Sequence, residues 1–256
     1  MKIGFIGIGN MAQAIIHGMP NKEDIIISAR THDDTLFKAN KLNVTPAANH
    51  HMLVIESDII VMSVKPEMFN AIFEEIGPYL RGKTIVSIAA KLTIEKIQMQ
   101  VGDIPVIRSM PNLNVAIQQG ITAITASDNV DSQVATYVRE MFDNLGSTVL
   151  IHESQMSGFI GLAGSSPAFV FKFIDAMVSE AMQEGFAYDD ALSIASHAVS
   201  GSANYLRVSG VDAQILTERV CSPGGTTIEG VRSLDANHFE DTVRKAVRAT
   251  INKDKQ

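Results

Sequence analysis

Short aliphatic runs recur through about residue 151, with helical stretches between them. Lys2–Ile6, Ile25–Ser28, Ile59–Val64, Thr84–Ile88, Val106–Met110, Ile121–Ala126 and Thr148–Ile151 read as strands. Most are unbroken Ile and Val rather than alternating. That is the pattern of strands covered on both faces, and it predicts a parallel or mostly parallel sheet flanked by helices. Helical content falls between Val106 and Ile151, where some strands are expected to pair antiparallel. After about His152 the strand signal stops. Phe169–Glu184 is apolar almost all round, broken at Lys172, Asp175, Ser179 and Glu180, which predicts a buried helix. Asp189–Leu206 is crowded with Ala, Ser and Gly, small enough for a neighbouring helix to approach closely. The fold class predicted is α/β. Residues 1–152 form a Rossmann-type doubly wound sheet, and residues 153–256 form an all-α domain. A helical unit of that size cannot hide so much apolar surface alone, so a homodimer or a larger homo-oligomer is expected.

The chain has 256 residues, 46% apolar and 19% charged, enough for a substantial core in one large domain or two modest ones. A formal net charge of −7 leaves no surplus of Lys and Arg to neutralise phosphates, so nucleic acid is not an expected partner. No unbroken apolar run reaches the roughly 18 residues of a membrane span, so no membrane is expected. Met1-Lys2-Ile3-Gly4-Phe5 reads as a strand rather than a signal peptide. With Cys221 as the single cysteine, a reducing, cytoplasmic location is expected. Cys221 has no histidine near it in sequence and reads as a small apolar filler rather than a nucleophile. The seven histidines show no metal-ligand spacing, so no metal is expected.

Two motifs carry the chemistry. The first strand runs into Gly7-Ile8-Gly9-Asn10-Met11-Ala12 and then the helical Gln13–Met19, the G-x-G-x-x-A form of a dinucleotide fingerprint. Gly7 permits the tight turn, Gly9 lets a pyrophosphate reach the backbone, and Ala12 keeps the helix close to the sheet. Ile6, Gly7, Ile8, Gly9, Asn10 and Met11 are therefore cofactor-binding candidates. After the second strand, where NAD readers carry a carboxylate, stands Ser28-Ala29-Arg30-Thr31. Arg30 suits a 2′-phosphate, so NADPH is expected, with NADH possible; the alternative is an ordinary surface arginine. The second motif is Ser222-Pro223-Gly224-Gly225-Thr226-Thr227. Serine then proline predicts a helix start, and two glycines predict close approach of something to the backbone. Exposed amides there would take a carboxylate or phosphate. The alternative is a capped helix with a flexible first turn.

With both motifs in hand, the sequence resembles the pyrroline-5-carboxylate reductase family over nearly its whole length. The resemblance rests on Phe5–Ala12, Val64-Lys65-Pro66, Ser87-Ile88-Ala89-Ala90, Arg108-Ser109-Met110-Pro111-Asn112, Leu162–Phe169 and Ser222–Thr227, in that order. It implies NAD(P)H-dependent reduction of L-1-pyrroline-5-carboxylate to L-proline, the last step of proline biosynthesis. It also implies a helical domain that interlocks with its dimer partner. Val64, Lys65, Pro66, Ala89 and Ala90 would line the cofactor, with Asn49 near the adenosine. Ser222, Gly224, Gly225, Thr226, Thr227 and Asn112 would bind the cyclic imino acid. Thr227 would sit beside the ring nitrogen as the catalytic residue.

Three departures from the family pattern stand out: Ser166 for glycine, Lys91 for glycine, and Leu113-Asn114 for Thr-Pro. Lys91 matters most, because a position chosen for glycine is expected to need positive φ, which lysine tolerates poorly. Two rival readings stay open. One is a 3-hydroxyacid dehydrogenase, for which Lys172 is the single acid/base candidate in the long apolar helix. The other is a reductase-like regulatory protein that binds a dinucleotide without this turnover.

Overall fold

A computed structural model describes residues 1–256 and contains one eight-stranded sheet followed by helices. The strands are β1 (Ile3–Ile6), β2 (Ile25–Ser28), β3 (Thr45–Pro46), β4 (Ile59–Met62), β5 (Thr84–Ser87), β6 (Val106–Pro111), β7 (Gly120–Ala126) and β8 (Gly146–Leu150). They lie in the order β3-β2-β1-β4-β5-β6-β7-β8. All neighbours are parallel except β6 and β7, the antiparallel pair expected in that region. No strand follows Leu150.

Among the strands run α1 (Asn10–Gly18), α2 (His32–Leu42), α3 (His50–Glu56), α4 (Phe69–Ile76), α5 (Ile94–Val101) and α6 (Ser132–Asp143). Unbroken aliphatic strands mean two cores, one per face. Ile3, Phe5, Ile25, Ile27 and Val61 face Ile15, Ile16 and Phe142 on one side. Ile6, Ile26, Ile60 and Ile85 face Leu53, Phe69 and Phe73 on the other. Alternate residues of β1 thus serve opposite faces, as period-two geometry requires.

Beyond the sheet come α7 (Met156–Phe159), a π-helical turn (Ile160–Gly164), α8 (Ser166–Gln183), α9 (Tyr188–Ser209), α10 (Ala213–Val220), α11 (Thr226–Ala236) and α12 (Phe239–Asp254). The chain separates into two compact units, Met1–Gly164 with Ile251–Gln256, and Ser165–Thr250. In the second unit α8 packs on α9 through Val178, Ala191 and Ala195, where the small residues admit close approach. The burial expected for Phe169–Glu184 is not reached within this chain: Phe169, Ile174 and Ala181 are half-buried, but Val170, Phe171, Phe173, Met177 and Met182 are exposed.

The segment Glu153–Gln183 is long and apolar enough, by length and composition alone, to cross a membrane, and Gly161, Gly164, Ser165 and Ser166 interrupt it. One sequence expectation needs correction: Ser222 and Pro223 do not begin a helix. They open a β-turn closed by the Gly225 amide on the Ser222 carbonyl at 3.0 Å, with Gly224 at φ +72°. Proline second and a left-handed glycine third define a type II turn, and the helix starts only at Thr226.

Candidate active site

The cofactor candidates converge where the carboxyl ends of β1, β2, β4 and β5 meet, the side of such a sheet on which ligands bind. Gly7 turns with φ +88°. Its α-carbon sits so close to Val64 and the Ser63 carbonyl that a methyl there would overlap both. The Gly7 amide donates to the Ser28 carbonyl at 2.9 Å, and the Ser63 amide to the Ile6 carbonyl at 2.9 Å. The fingerprint loop is thereby fixed to the exits of β2 and β4. Ile6 and Ile8 are buried beneath it, whereas Gly9 and Asn10 are exposed and Met11 is half-buried. Gly9 is the N-cap of α1, with no side-chain cap and nothing within 4 Å of where its β-carbon would stand. The first amides of α1 therefore face open space, a cradle that fits a pyrophosphate.

Around the second strand the backbone is fastened while Arg30 is left free to reach. Thr35 Oγ1 accepts from the Ala29 amide at 2.9 Å and donates to the Thr31 carbonyl at 2.9 Å. Thr31 caps α2 through the Asp34 amide. Arg30 is exposed and engages no carboxylate. Asn49 is also exposed, and its Oδ1 caps α3 by accepting from the Met52 amide at 2.9 Å. Next to it, His50 Nδ1 lies 2.8 Å from Ser28 Oγ, a pair the sequence reading missed because 22 residues separate the partners. Burial lowers the His50 pKa, and Glu75 opposes that shift.

Exposed Lys65 and half-buried Pro66 follow the exit of β4, where the Lys65 carbonyl accepts from the Met68 amide at 2.9 Å. Ala89 is buried and Ala90 half-buried at the exit of β5. The following residue, Lys91, adopts φ +67°. The family's glycine position therefore does need left-handed backbone here, and lysine occupies it under strain.

Asn112 is held by the backbone around it. It is buried, its Oδ1 accepts from the Ile121 amide at 3.2 Å, and its Nδ2 donates to the Ala163 carbonyl at 3.2 Å. Both ends of its amide are thus engaged within the first unit. Upstream, buried Arg108 donates to Glu153 Oε1 at 2.7 Å, which also accepts from the Ile94 amide at 2.8 Å. One carboxylate so ties β6, the start of α5 and the entry to α7.

Ser222, Gly224, Gly225, Thr226 and Thr227 belong to the second unit. Each glycine has an internal reason: Gly224 supplies positive φ, and a β-carbon on Gly225 would lie 2.5 Å from Ser222 Oγ. Gly225 is the N-cap of α11 and, like Gly9, provides no side-chain cap. The amides of Thr226, Thr227 and Ile228 thus have no intrahelical acceptor. Thr227 lines a cavity of about 800 Å³ with Phe173, Ser202, Tyr205, Arg219 and Cys221, all in this unit. No cluster of His, Cys, Asp or Glu suitable for a metal ion is present.

Comparison with known proteins bears on this site. Residues 153–256 match the family model described as pyrroline-5-carboxylate reductase dimerisation. Residues 2–91 match the one described as NADP oxidoreductase, coenzyme F420-dependent. The pyrroline-5-carboxylate reductase of Aquifex aeolicus is 36% identical over 260 residues, covering 100% of this chain and 97% of the relative. That of Escherichia coli is 33% identical over 259 residues, covering 98% and 96%. The crystal structure of the Streptococcus pyogenes enzyme superposes with a TM-score of 0.92 at 34% identity, covering 100% of this chain and 98% of that one. The Plasmodium falciparum pyrroline carboxylate reductase, solved with NADP bound, gives 0.91 at 28% identity, covering 100% and 97%.

Two predictions follow from this geometry. Lys91→Gly removes left-handed strain at an exposed site and should stabilise the protein by about 1 kcal/mol, read as a higher urea midpoint; an unchanged or lower midpoint contradicts the strain. His50 is held neutral by burial, so its contribution to stability is present above its ordinary value of 6.5 and is lost as pH falls below it. In His50→Asn the fall of unfolding free energy as pH drops below about 6.5 should be shallower, because the buried imidazole that must gain a proton is gone.

Proposed function

The chain belongs to the pyrroline-5-carboxylate reductase family, and from that premise we propose that it reduces L-1-pyrroline-5-carboxylate to L-proline with NADPH, the last step of proline biosynthesis. The observation that carries the reading is the pair of glycine-capped helix N-termini. One sits in the dinucleotide fingerprint, and the other follows the Ser222–Gly225 turn. Residues 1–152 then act as the cofactor domain and residues 153–256 as the substrate-binding and dimerisation domain.

The first amides of α1 hold the pyrophosphate, and Arg30, free of any carboxylate, holds the 2′-phosphate. Asn49, Val64, Lys65, Pro66, Ala89 and Ala90 border the same strand exits. When bound, NADPH supplies the hydride. The substrate is a cyclic imine bearing a carboxylate, and the amides of Thr226 and Thr227 at the start of α11 receive that carboxylate. Ser222, Gly224 and Gly225 build the turn that presents them. The Thr227 hydroxyl, on the wall of the 800 Å³ cavity, hydrogen-bonds the ring nitrogen. An iminium is already electrophilic, so orientation supplies much of the acceleration and no dedicated acid/base lysine is required. Lys172, which a 3-hydroxyacid dehydrogenase would need in that role, is exposed on α8.

The apolar run Glu153–Gln183 is only 22% buried within one chain over its most apolar window. A second copy of the chain covers it in this reading, making a homodimer or a larger homo-oligomer. A cytoplasmic location accords with the single, unpaired cysteine.

Turnover of pyrroline-5-carboxylate with NADPH tests the function directly; tight NADPH binding without turnover would favour a regulatory protein instead. Arg30→Ala should raise the KM for NADPH at least fivefold more than that for NADH, and equal effects would remove the 2′-phosphate assignment. Thr227→Val keeps the shape of the side chain and removes its hydroxyl. It should lower kcat roughly tenfold to a hundredfold with NADPH binding intact, because a bond that strengthens toward the transition state appears in kcat. Near-normal kcat would leave the α11 terminus as a binding site alone.

A further inference from the structure

Strand β2 is aliphatic up to its last residue, where a hydroxyl appears: Ile25, Ile26, Ile27, then Ser28. Ile26 faces the core that holds Leu53 and Val54 of α3, and Ser28, two residues on, lies on the same face. Ser28 is only 2% exposed, so its hydroxyl has to find a partner inside the protein. That partner is the His50 ring, whose Nδ1 stands 2.8 Å from Oγ. A hydroxyl donates or accepts as required, so either tautomer of the ring keeps the bond.

The short helix α3 is held at its two ends by unrelated means. At the C-terminal end, β1 approaches so closely that a β-carbon on Gly4 would overlap Leu53 and Ser57. The Lys83 ammonium adds bonds to the Ile55 and Ser57 carbonyls, at 3.3 and 2.7 Å. The N-terminal end has less. The chain arrives from β3, where the Ala47 amide donates to the Ile27 carbonyl at 2.9 Å, and beyond Ala47 no main-chain bond ties it to β2. From there the Ser28–His50 bond takes over.

Each partner of that bond is next to a cofactor candidate. His50 follows Asn49, whose Oδ1 is committed to the Met52 amide and whose Nδ2 has no partner in the chain. Ser28 lies two residues before Arg30. Its carbonyl takes the Gly7 amide of the fingerprint loop, and Thr35 Oγ1 fixes the Ala29 amide. The Arg30 turn is therefore braced by its own backbone, whereas the start of α3 is braced against it through the His50 side chain.

We infer that His50 is a positioning residue for the dinucleotide: its bond to Ser28 sets the spacing between Asn49 and the Arg30 turn, and so shapes the pocket for the phosphorylated adenosine end. His50 needs no contact with the ligand to do this. The inference rests on the reading above that NADPH binds at these strand exits.

Calorimetric titration with NADPH, and with adenosine 2′,5′-bisphosphate as the adenosine end alone, tests it across His50→Leu, Ser28→Ala, their double variant and His50→Asn. His50→Leu should weaken both ligands roughly tenfold, because a site that must be ordered on binding binds less tightly. Ser28→Ala should weaken them comparably, and the double variant no more than the worse single, since both changes break one bond. His50→Asn sets an amide near the place of Nδ1 and should stay within about threefold of the parent. Melting separates positioning from mere stability. His50→Leu leaves the Ser28 hydroxyl buried without a partner and should lower Tm by roughly 2–4 °C. The double variant removes that hydroxyl, so it should recover most of the lost Tm while its affinity stays low. Unchanged affinity in His50→Leu, losses that add in the double variant, or affinity that returns together with Tm would overturn the inference. Should His50→Leu fail to fold, Ser28→Ala carries the test, because it breaks the same bond and leaves no buried hydroxyl behind. A parent that binds NADPH without turnover removes the reductase reading and leaves this experiment intact. A parent that binds neither ligand overturns the inference itself.

Discussion

A helix begins with backbone amides that its own ladder cannot satisfy, and this structure sorts its helices by how that demand is met. Thr31, Asn49, Thr93, Asp131 and Asp212 each turn a side-chain oxygen onto the first turn of the helix they precede. Gly9 and Gly225 have no such oxygen, and α1 and α11 start with their amides uncovered. Ala187 before α9 is also without a cap, but Asp189 and Asp190 in its first turn offset the positive end. Met68, Gln155 and Ser165 give α4, α7 and α8 no cap either, but those helices follow directly on a preceding helical turn, whereas α1 and α11 start from extended backbone at a glycine. A side chain that caps a helix fills the space an anion would need, so a binding helix has to leave its own terminus incomplete. Each then depends on neighbours for its shape: the α1 loop on Val64, Ser63 and Ser28, the α11 turn on the Ser222 carbonyl.

The parts of this arrangement that are local in sequence were legible there. Unbroken aliphatic runs gave the parallel strands and their two cores, and the spacing of Gly7, Gly9 and Ala12 gave the fingerprint turn. The two-residue strand Thr45–Pro46 has no run to read and exists because β2 offers it an edge. The helix Ser132–Asp143 carried a readable signal in its Asp131 cap, but the apolar strands on either side drew the reading away. Ser222-Pro223 is compatible with both a helix start and a turn. The left-handed Gly224 decides it, and glycine's φ cannot be read from its name.

What stayed out of reach is long-range. The pairing of Ser28 with His50, of Arg108 with Glu153 and of Asn112 with Ala163 spans 22, 45 and 51 residues. In each case the residue type announces polarity, whereas the fold decides which partner satisfies it. Asn112 shows the hazard: a buried asparagine beside a site motif invites a ligand role, yet its amide is occupied at both ends by backbone. The apolar helix α8 is the converse case. Its composition predicts an interior helix, but within this chain most of that face is open. An interior made by two copies leaves the same pattern in sequence as an interior made by one.

Lys91 shows how far the scaffold tolerates departure at such a point. The backbone keeps φ +67° although the side chain disfavours it, so the conformation is imposed from outside the residue. Upstream, the Ile88 amide is held by the Met62 carbonyl and the Ala89 amide by Ser87 Oγ. Downstream, Thr93 caps α5 through the Lys96 amide, and Glu153 takes the Ile94 amide. With both ends of the six-residue connection between β5 and α5 fixed, the chain has to reverse within it, and left-handed backbone at residue 91 accomplishes the reversal. The strain of a non-glycine residue there is of order 1 kcal/mol, less than the cost of releasing either anchor. The loop therefore keeps its path and carries the strain, and Ala89 and Ala90 remain at the strand exit where the cofactor-binding reading needs them.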